Sequence, residues 1–218
     1  MFNTSSDLIR TVWLSLAVSG TAIVVATVVG IPLGVSLGLS RHRYSTWLRL
    51  ACQTGMAIPP VVIGLVVYLL LSRSGPLAFL GWLFTPQAMI LAQVLLALPY
   101  LIGLTAGAIR AVPIALIPQL QSLGASDWQA RWTILCEARY GVLLAVAAAL
   151  GRSLSEVGAV YLVGGNIQGH TRVLTTAILL ETGKGEFAVA LALGAILLSL
   201  AWLINAFILV AQGSQRRG

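Results

Sequence analysis

Charge is scarce in this chain, and negative charge most of all: six acidic residues stand against 13 lysines and arginines in 218 positions, and charged residues make up 9%. So few ionisable groups, beside 58% hydrophobic residues, exclude the surface of an ordinary soluble domain. No polar segment is long enough to bury a core of its own, so no separate soluble domain is expected. The apolar stretches run continuously instead of alternating with polar residues, which excludes a transmembrane β-barrel. A mean hydropathy of +0.95 then points to an all-α integral membrane protein.

Cysteine and histidine are equally sparse. Cys52 and Cys136 lie far apart and in no metal-ligand spacing, so two reduced thiols without a redox role are expected. His42 and His170 fall on opposite sides of the membrane in the topology below, which excludes a histidine-based catalytic group or metal cluster. Gly183-Lys184-Gly185 lacks both the preceding glycine and the following Ser or Thr of a phosphate loop, so ATP is not bound and hydrolysed by that route. Residues 151–155 lack the last glycine of a nucleophile elbow. The chain is therefore expected to be no enzyme and to hold no catalytic residue, metal or cofactor.

What is present is a series of long apolar runs. A bilayer span needs roughly 20 apolar residues, and 12–39, 50–71, 88–109, 140–163 and 187–211 qualify. Five transmembrane helices in one domain, 1–218, place the termini on opposite sides. Arg41, Arg43, Arg49, Arg110, Arg131, Arg139, Arg216 and Arg217 share one side; Arg10, Arg73, Arg172 and Lys184 share the other. The positive-inside tendency makes the first group cytoplasmic, with the N-terminus outside and the C-terminus cytoplasmic. The net charge of +7 is what span ends and anionic headgroups require, so no nucleic-acid partner is expected. The first run is too long for a cleaved signal and is expected to stay as the first span.

Several features within the runs carry structure or chemistry. Gly30, Gly34 and Gly38 recur every four residues, giving a face that another helix can approach closely. Pro32, Pro59 and Pro60 remove backbone donors and are expected to kink or interrupt their helices, and such breaks sit inside protein or beside an aqueous cavity. Pro59 and Pro60 are thus candidates for a translocation path. The fourth run holds Arg152, Ser153, Ser155 and Glu156. Each charge at membrane depth costs on the order of 2.5 to 3.5 kcal/mol, so both face protein or water. Arg152 and Glu156 share a helix face and can pair, either as a structural tie or beside a solute path on which the serines offer hydroxyl donors.

Between the third and fourth runs lies a polar excursion. Residues 119–139 mix Asp127, Arg131, Glu137 and Arg139 with Trp128, Trp132, Ile134 and Leu135, which suits an amphipathic helical hairpin on the membrane surface. The outer connection, 164–186, carries His170, Arg172, Glu181, Lys184 and Glu186, and is a second place for a partner.

Leu123-Gly-Ala-Ser, followed after a spacer by Ile134-Leu-Cys-Glu-Ala, resembles the cytoplasmic signature of bacterial ABC importer permeases: Glu-Ala-Ala, three residues, Gly, nine residues, Ile, one residue, Leu-Pro. Gly124 and Ile134 keep its separation; Pro118, Gln119 and Leu120 replace Glu-Ala-Ala, and Cys136 and Glu137 replace Leu-Pro. Ile58-Pro-Pro-Val and Val163-Gly-Gly-Asn-Ile extend the resemblance across the chain, within the molybdate, sulfate and tungstate branch. The runs Ser155-Glu-Val-Gly-Ala-Val, Gly169-His-Thr-Arg-Val-Leu-Thr-Thr-Ala-Ile and Leu180-Glu-Thr-Gly-Lys-Gly are most similar to tungstate permeases.

The resemblance implies a type I importer core in the bacterial or archaeal plasma (inner) membrane, a homodimer with its path between protomers. It also implies two cytoplasmic ATPase subunits that bind ATP and Mg, and a periplasmic or extracellular tungstate-binding protein. On it, the coupling loop is 118–139. Leu123, Gly124, Ala125, Ser126, Asp127 and Trp128 are expected to form a short coupling helix, with Glu137 and Arg139 also facing the ATPase. His170 and Arg172 are expected to meet the binding protein. Moving a dianion into a cell that is negative inside costs about 4.6 kcal/mol at 100 mV, from roughly 2.3 per charge, which agrees with an energy-driven system. A molybdate or sulfate permease is the nearest alternative. An ion-coupled secondary transporter, with Arg152 and Glu156 as coupling site, is the alternative of another class, although no inverted repeat is detectable.

Overall fold

The structure, a computed structural model, describes residues 5–40, 42–113 and 115–214. Among them the α-helices are α1 (Ser5–Leu39), α2 (Arg43–Ala57), α3 (Pro60–Leu71), α4 (Pro86–Ala111), α5 (Leu116–Ser122), α6 (Asp127–Glu137), α7 (Arg139–Leu154), α8 (Gly158–Gly164), α9 (Leu174–Gly183) and α10 (Phe187–Ser214), and no strand is present. By length and composition α1, α4 and α10 are each able to cross a membrane. Two bent pairs, α2 with α3 and α6 with α7, bring the number to as many as five.

Helix α4 is the axis of the bundle, packed by α1, α7, α2, α8 and α3. Its tightest neighbour is α1, for the reason the glycine spacing gives. A β-carbon on Gly30 would lie 2.8 Å from Leu101 Cβ, one on Gly34 2.6 Å from Thr105 Cβ, and one on Gly38 2.7 Å from Ile109 Cβ. The three glycines therefore let two backbones approach where lipid-facing apolarity supplies no driving force and close packing must.

The second apolar run is not one helix over 50–71. It breaks into α2 and α3, inclined at 96°. A residue before proline is pushed out of the helical region, and two consecutive prolines impose this twice: Ile58 has ψ 128° and Pro59 ψ 129°. Pro60 then starts α3 at a position where its missing N–H costs nothing. Pro32 does not interrupt its helix, for α1 continues through it from Ser5 to Leu39.

The fourth run, 140–163, is also divided. Helix α7 ends at Leu154 and α8 begins at Gly158, while α6 and α7 meet at 64° around Ala138. The polar connection 164–186 contains a helix of its own, α9. Leu174, Ala177 and Leu193 form one apolar cluster that joins it to α10.

Candidate functional site

The polar excursion folds as a hairpin, α5 then α6. The expected short helix over 123–128 is corrected: residues 123–126 form the turn and α6 starts at Asp127. Gly124 has φ +89°, a left-handed conformation that side-chain-bearing residues rarely adopt. Ser126 then caps α6: its Oγ accepts the Gln129 N–H at 3.3 Å, and Gln129 Oε1 accepts the Ser126 N–H at 2.8 Å, a reciprocal capping box. Asp127 in the first turn suits the positive helix end and accepts from Gln121 Nε2 at 3.0 Å, which closes the hairpin.

The hairpin rests on the bundle through Ile134 and Ala138, which pack with Ile109 and Val142. Its tip is left bare. Leu123 is 85% and Trp128 73% exposed, while Ala125 is half-buried and Ser126, Asp127 and Glu137 are exposed. Arg139 is exposed and lies over the Tyr140 ring, 5.0 Å from its centroid. The tip therefore presents an exposed leucine and an exposed tryptophan on a turn set by Gly124 and the Ser126 cap.

The second constellation is the break between α7 and α8. Arg152 Nη1 and Glu156 Oε2 are 3.7 Å apart, with the arginine side chain 30% exposed and the glutamate 4%. The pair does not lie on one continuous helix face, as its spacing suggests, because Glu156 sits past the end of α7. Its Oε1 accepts the Ala159 N–H at 2.9 Å and so caps α8. Thr175 Oγ1, on α9, donates to the Glu156 carbonyl at 2.9 Å. The two serines part: Ser153 is buried, whereas Ser155 is exposed and donates to the Arg152 carbonyl at 3.1 Å.

This break meets the other one. A β-carbon on Gly158 would lie 2.6 Å from Val61 Cγ2, and one on Gly64 2.6 Å from the Ala159 α-carbon. Exposed Pro59 and half-buried Pro60 therefore start the helix, α3, that packs against α8. The proline segment and the Arg152 to Glu156 cluster, more than 90 positions apart in sequence, form one neighbourhood. The hairpin makes no hydrogen bond to it among the described residues.

Sequence reasoning missed the inner side of this neighbourhood. Gln93 on α4 is buried and donates from Nε2 to the Ser153 carbonyl at 3.1 Å. Ser15 Oγ on α1 donates to the Thr11 carbonyl at 2.7 Å and accepts the Leu174 N–H at 2.8 Å. Ser15, Ser19, Gln93, Ser153, Glu156 and Thr175 surround a cavity of about 10 Å³, too small for a tetrahedral oxyanion. Gln93 Oε1 and Ser153 Oγ have no partner within it. One amide in an apolar run was the available signal.

The loop between α8 and α9 is built on backbone geometry. Gly165 (φ +70°), Asn166 (φ +51°) and Gly169 (φ +72°) are all left-handed, which explains Gly165-Asn166 by residue type, whereas a β-carbon on helical Gly164 would lie 2.9 Å from Met89 Sδ. The Thr171 hydroxyl accepts the Ile167 N–H and donates to the Gly164 carbonyl. Arg172, expected to be free for a partner, is half-buried and donates from Nε to Asn166 Oδ1 at 3.3 Å. Lys184 pairs with buried Glu181 at 2.9 Å. Exposed His170 remains as the accessible ionisable group of the two residues singled out.

Among the described residues no group of three or more His, Cys, Asp or Glu side chains is placed to hold a metal ion. Residues 30–217 match the family described as binding-protein-dependent transport system inner membrane component. The chain is 43% identical over 197 residues, 88% of its length and 85% of the relative's, to a probable anion ABC transporter permease protein of Haloferax volcanii. It is 41% identical over 197 residues, 90% of its length and 86% of the relative's, to the tungstate uptake system permease protein of Peptoclostridium acidaminophilum. A solved inward-facing structure of a methionine ABC transporter covers 94% of the chain, and 95% of the solved chain is covered in turn, at a TM-score of 0.72 and 22% identity; that likeness establishes the fold. The chain belongs to the family of binding-protein-dependent transport system inner membrane components, as an ABC importer permease.

Proposed function

We propose that this chain is the permease of an ATP-driven tungstate importer, working as a homodimer with the anion path between the two copies. The bare hairpin tip carries the reading: Leu123 and Trp128 project at a turn locked by Gly124 and the Ser126 cap. A cytoplasmic ATPase seated on that tip takes its ATP and Mg elsewhere and passes its motion to α6 and α7. The chain itself catalyses nothing. The N-terminus lies outside and the C-terminus in the cytoplasm, so the loop with His170 and Arg172 faces the external anion-binding protein.

The path runs along the paired helix breaks, past Pro59, Pro60 and the segment with Arg152, Ser153, Ser155 and Glu156. A half-exposed arginine tied to Glu156 is partly neutralised, so it does not hold a dianion tightly enough to stop its release. Hydroxyl groups bind weakly and let it move. Similarity to the tungstate permease of Peptoclostridium acidaminophilum supports the choice of anion.

Uptake of labelled tungstate in cells with and without this gene, in competition with molybdate and sulfate, tests the reading. Tungstate is expected to be taken up only with the gene and to be displaced poorly by equal molybdate or sulfate. Displacement by molybdate at equal concentration moves the assignment to a molybdate permease. Uptake that persists when ATP is depleted but the ion gradients are held points to a secondary transporter instead.

A further inference from the structure

Three surface cavities meet at the end of α1 on the hairpin side. One, of about 520 Å³, is lined by the cations Arg49 and Arg110 and the imidazole of His42, with the hydroxyls of Ser40, Ser45 and Thr46. A second, of about 380 Å³, shares Ser40 and His42 and adds Arg131 from α6. The third, of about 430 Å³, shares Ser40, His42 and Ser45 but turns apolar, with Leu33, Leu37, Leu48 and Ile102 on its walls. Among the described residues no acidic side chain lines any of the three.

The cations are not there to satisfy carboxylates. The ion pairs among the described residues are Arg152 with Glu156 and Lys184 with Glu181, so among them Arg49, Arg110 and Arg131 are paired with no carboxylate. Arg49 donates from Nε to the Ser45 carbonyl and from Nη2 to Thr46 Oγ1, each at 3.0 Å. Arg110 donates from Nη2 to the Ser40 carbonyl at 3.1 Å. A guanidinium has five N–H donors, so these bonds fix both forks in place and leave donors for an anion.

We propose that this composite cleft binds an anionic phospholipid of the leaflet on the hairpin side. The phosphate lies among Arg49, Arg110, Arg131 and His42, and an acyl chain lies in the groove between α1 and α2. Basic pockets between membrane helices take lipid headgroups of this kind, and the groove is the feature that a free oxyanion does not need. Tyr44 is 79% and Trp47 68% exposed on α2, at the level where interfacial aromatics sit among headgroups. A second copy of this chain is a poor occupant, since it also carries +7 with six acidic residues and brings like charge to the cleft. The proposal is independent of which anion is transported, so its failure leaves the tungstate reading untouched.

The full-length permease, purified in detergent, is offered phosphatidylglycerol and phosphatidylcholine with identical acyl chains, and native mass spectrometry counts the lipid retained. Preferential retention of phosphatidylglycerol is expected. Arg49→Gln and Arg131→Gln are each expected to weaken it roughly fivefold, the equivalent of about 1 kcal/mol per basic residue near anionic lipid. Leu48→Trp, at an exposed groove position that fills the acyl slot without entering the core, is expected to weaken it as well. Equal retention of the two lipids, or unchanged phosphatidylglycerol binding in both arginine variants, overturns the proposal. So does displacement by millimolar inorganic phosphate together with full retention in Leu48→Trp, which assigns the cleft to a free anion. Cross-linking from a cysteine at position 48 to a second copy, in place of lipid retention, overturns it in favour of a protein interface.

Discussion

The side-chain amide of Gln93 donates to the main-chain carbonyl of Ser153 at 3.1 Å, tying the middle of α4 to the last turn of α7 across 60 positions of sequence. That carbonyl has a second donor, the Glu156 N–H at 3.3 Å, so the break after Leu154 is held both by α4 and by its own backbone. Gln93 Oε1 meanwhile has no partner. A buried polar group in this state costs part of what its bond contributes. Gln93→Leu, which removes the unpaired acceptor while leaving Ser153 a donor, is therefore expected to change stability by less than about 1 kcal/mol. Gln93→Ala adds a cavity and is expected to cost about 2 kcal/mol or more. Thermal unfolding of the two variants in one detergent checks the order.

Glu156 gives a sharper contrast. Its carboxylate caps α8 through the Ala159 N–H at 2.9 Å but meets Arg152 only at 3.7 Å, so the cap outweighs the ion pair. Glu156→Gln keeps an acceptor for the cap and is expected to retain most of the stability. Glu156→Ala leaves a buried N–H unsatisfied and is expected to cost about 1 to 3 kcal/mol. Equal losses in the two variants mean that the charge, and not the cap, holds the break.

The glycine face of α1 predicts a similar split. Valine at Gly34 brings a β-carbon to 2.6 Å from Thr105 Cβ and 2.9 Å from the Ile102 carbonyl oxygen, and backbone cannot swing aside. Gly34→Val is expected to lose about 1 to 3 kcal/mol, typical of overpacking. Gly20, which has nothing within 4 Å of a β-carbon, is the control: Gly20→Ala is expected to be neutral or slightly stabilising by helix propensity. Melting temperatures of the three proteins decide it.

These contrasts also show what was legible in the sequence. Gly30, Gly34 and Gly38 announce a close helix contact because a four-residue period of small side chains has few other uses in an apolar helix. Ile58-Pro59-Pro60 announces a break because proline geometry acts locally. The break after Leu154 carries no proline; it depends on its own Glu156 and on Thr175 and Gln93, which reach it from α9 and α4, and no local pattern encodes that. Helix α9 was hidden in a polar connection because Thr175, Thr176 and Glu181 turn inward, against the usual meaning of polar residues. The hairpin was visible from its mixed composition, but its helix start was misplaced by four residues, since the Ser126 capping box decides the boundary.

For the hairpin, the exposed tip separates docking from folding. Leu123 is 85% exposed, so Leu123→Ser removes contact surface from a partner and none from the core. It is expected to reduce copurification of the ATPase and to slow uptake, with the melting temperature of the isolated permease unchanged. Gly124→Val forces a β-branched residue into φ +89°, at about 1 to 3 kcal/mol of local strain, and is expected to abolish both while membrane insertion continues. Retained copurification and uptake in both variants mean that the ATPase sits elsewhere.

The path prediction turns on the two serines that the break separates. Ser153 is 2% exposed, with its hydroxyl unpartnered beside the small cavity that it shares with Gln93 and Glu156. Ser155, two positions on, is exposed on the other side of the bend. In a background lacking Cys52 and Cys136, a cysteine at 155 is expected to react with a small charged thiol reagent in the resting permease, and one at 153 is not. During ATP turnover, opening along the α3 and α8 contact brings position 153 within reach if the path follows the breaks, so its labelling rate is expected to rise at least tenfold while that of 155 changes little. A cysteine replacing Arg152 is expected to label at an intermediate rate in both states, as its 30% exposed side chain suggests. If 153 stays unlabelled through turnover while a position on the opposite face of α7 becomes reactive, the buried polar cluster is a structural joint and the anion travels along another face.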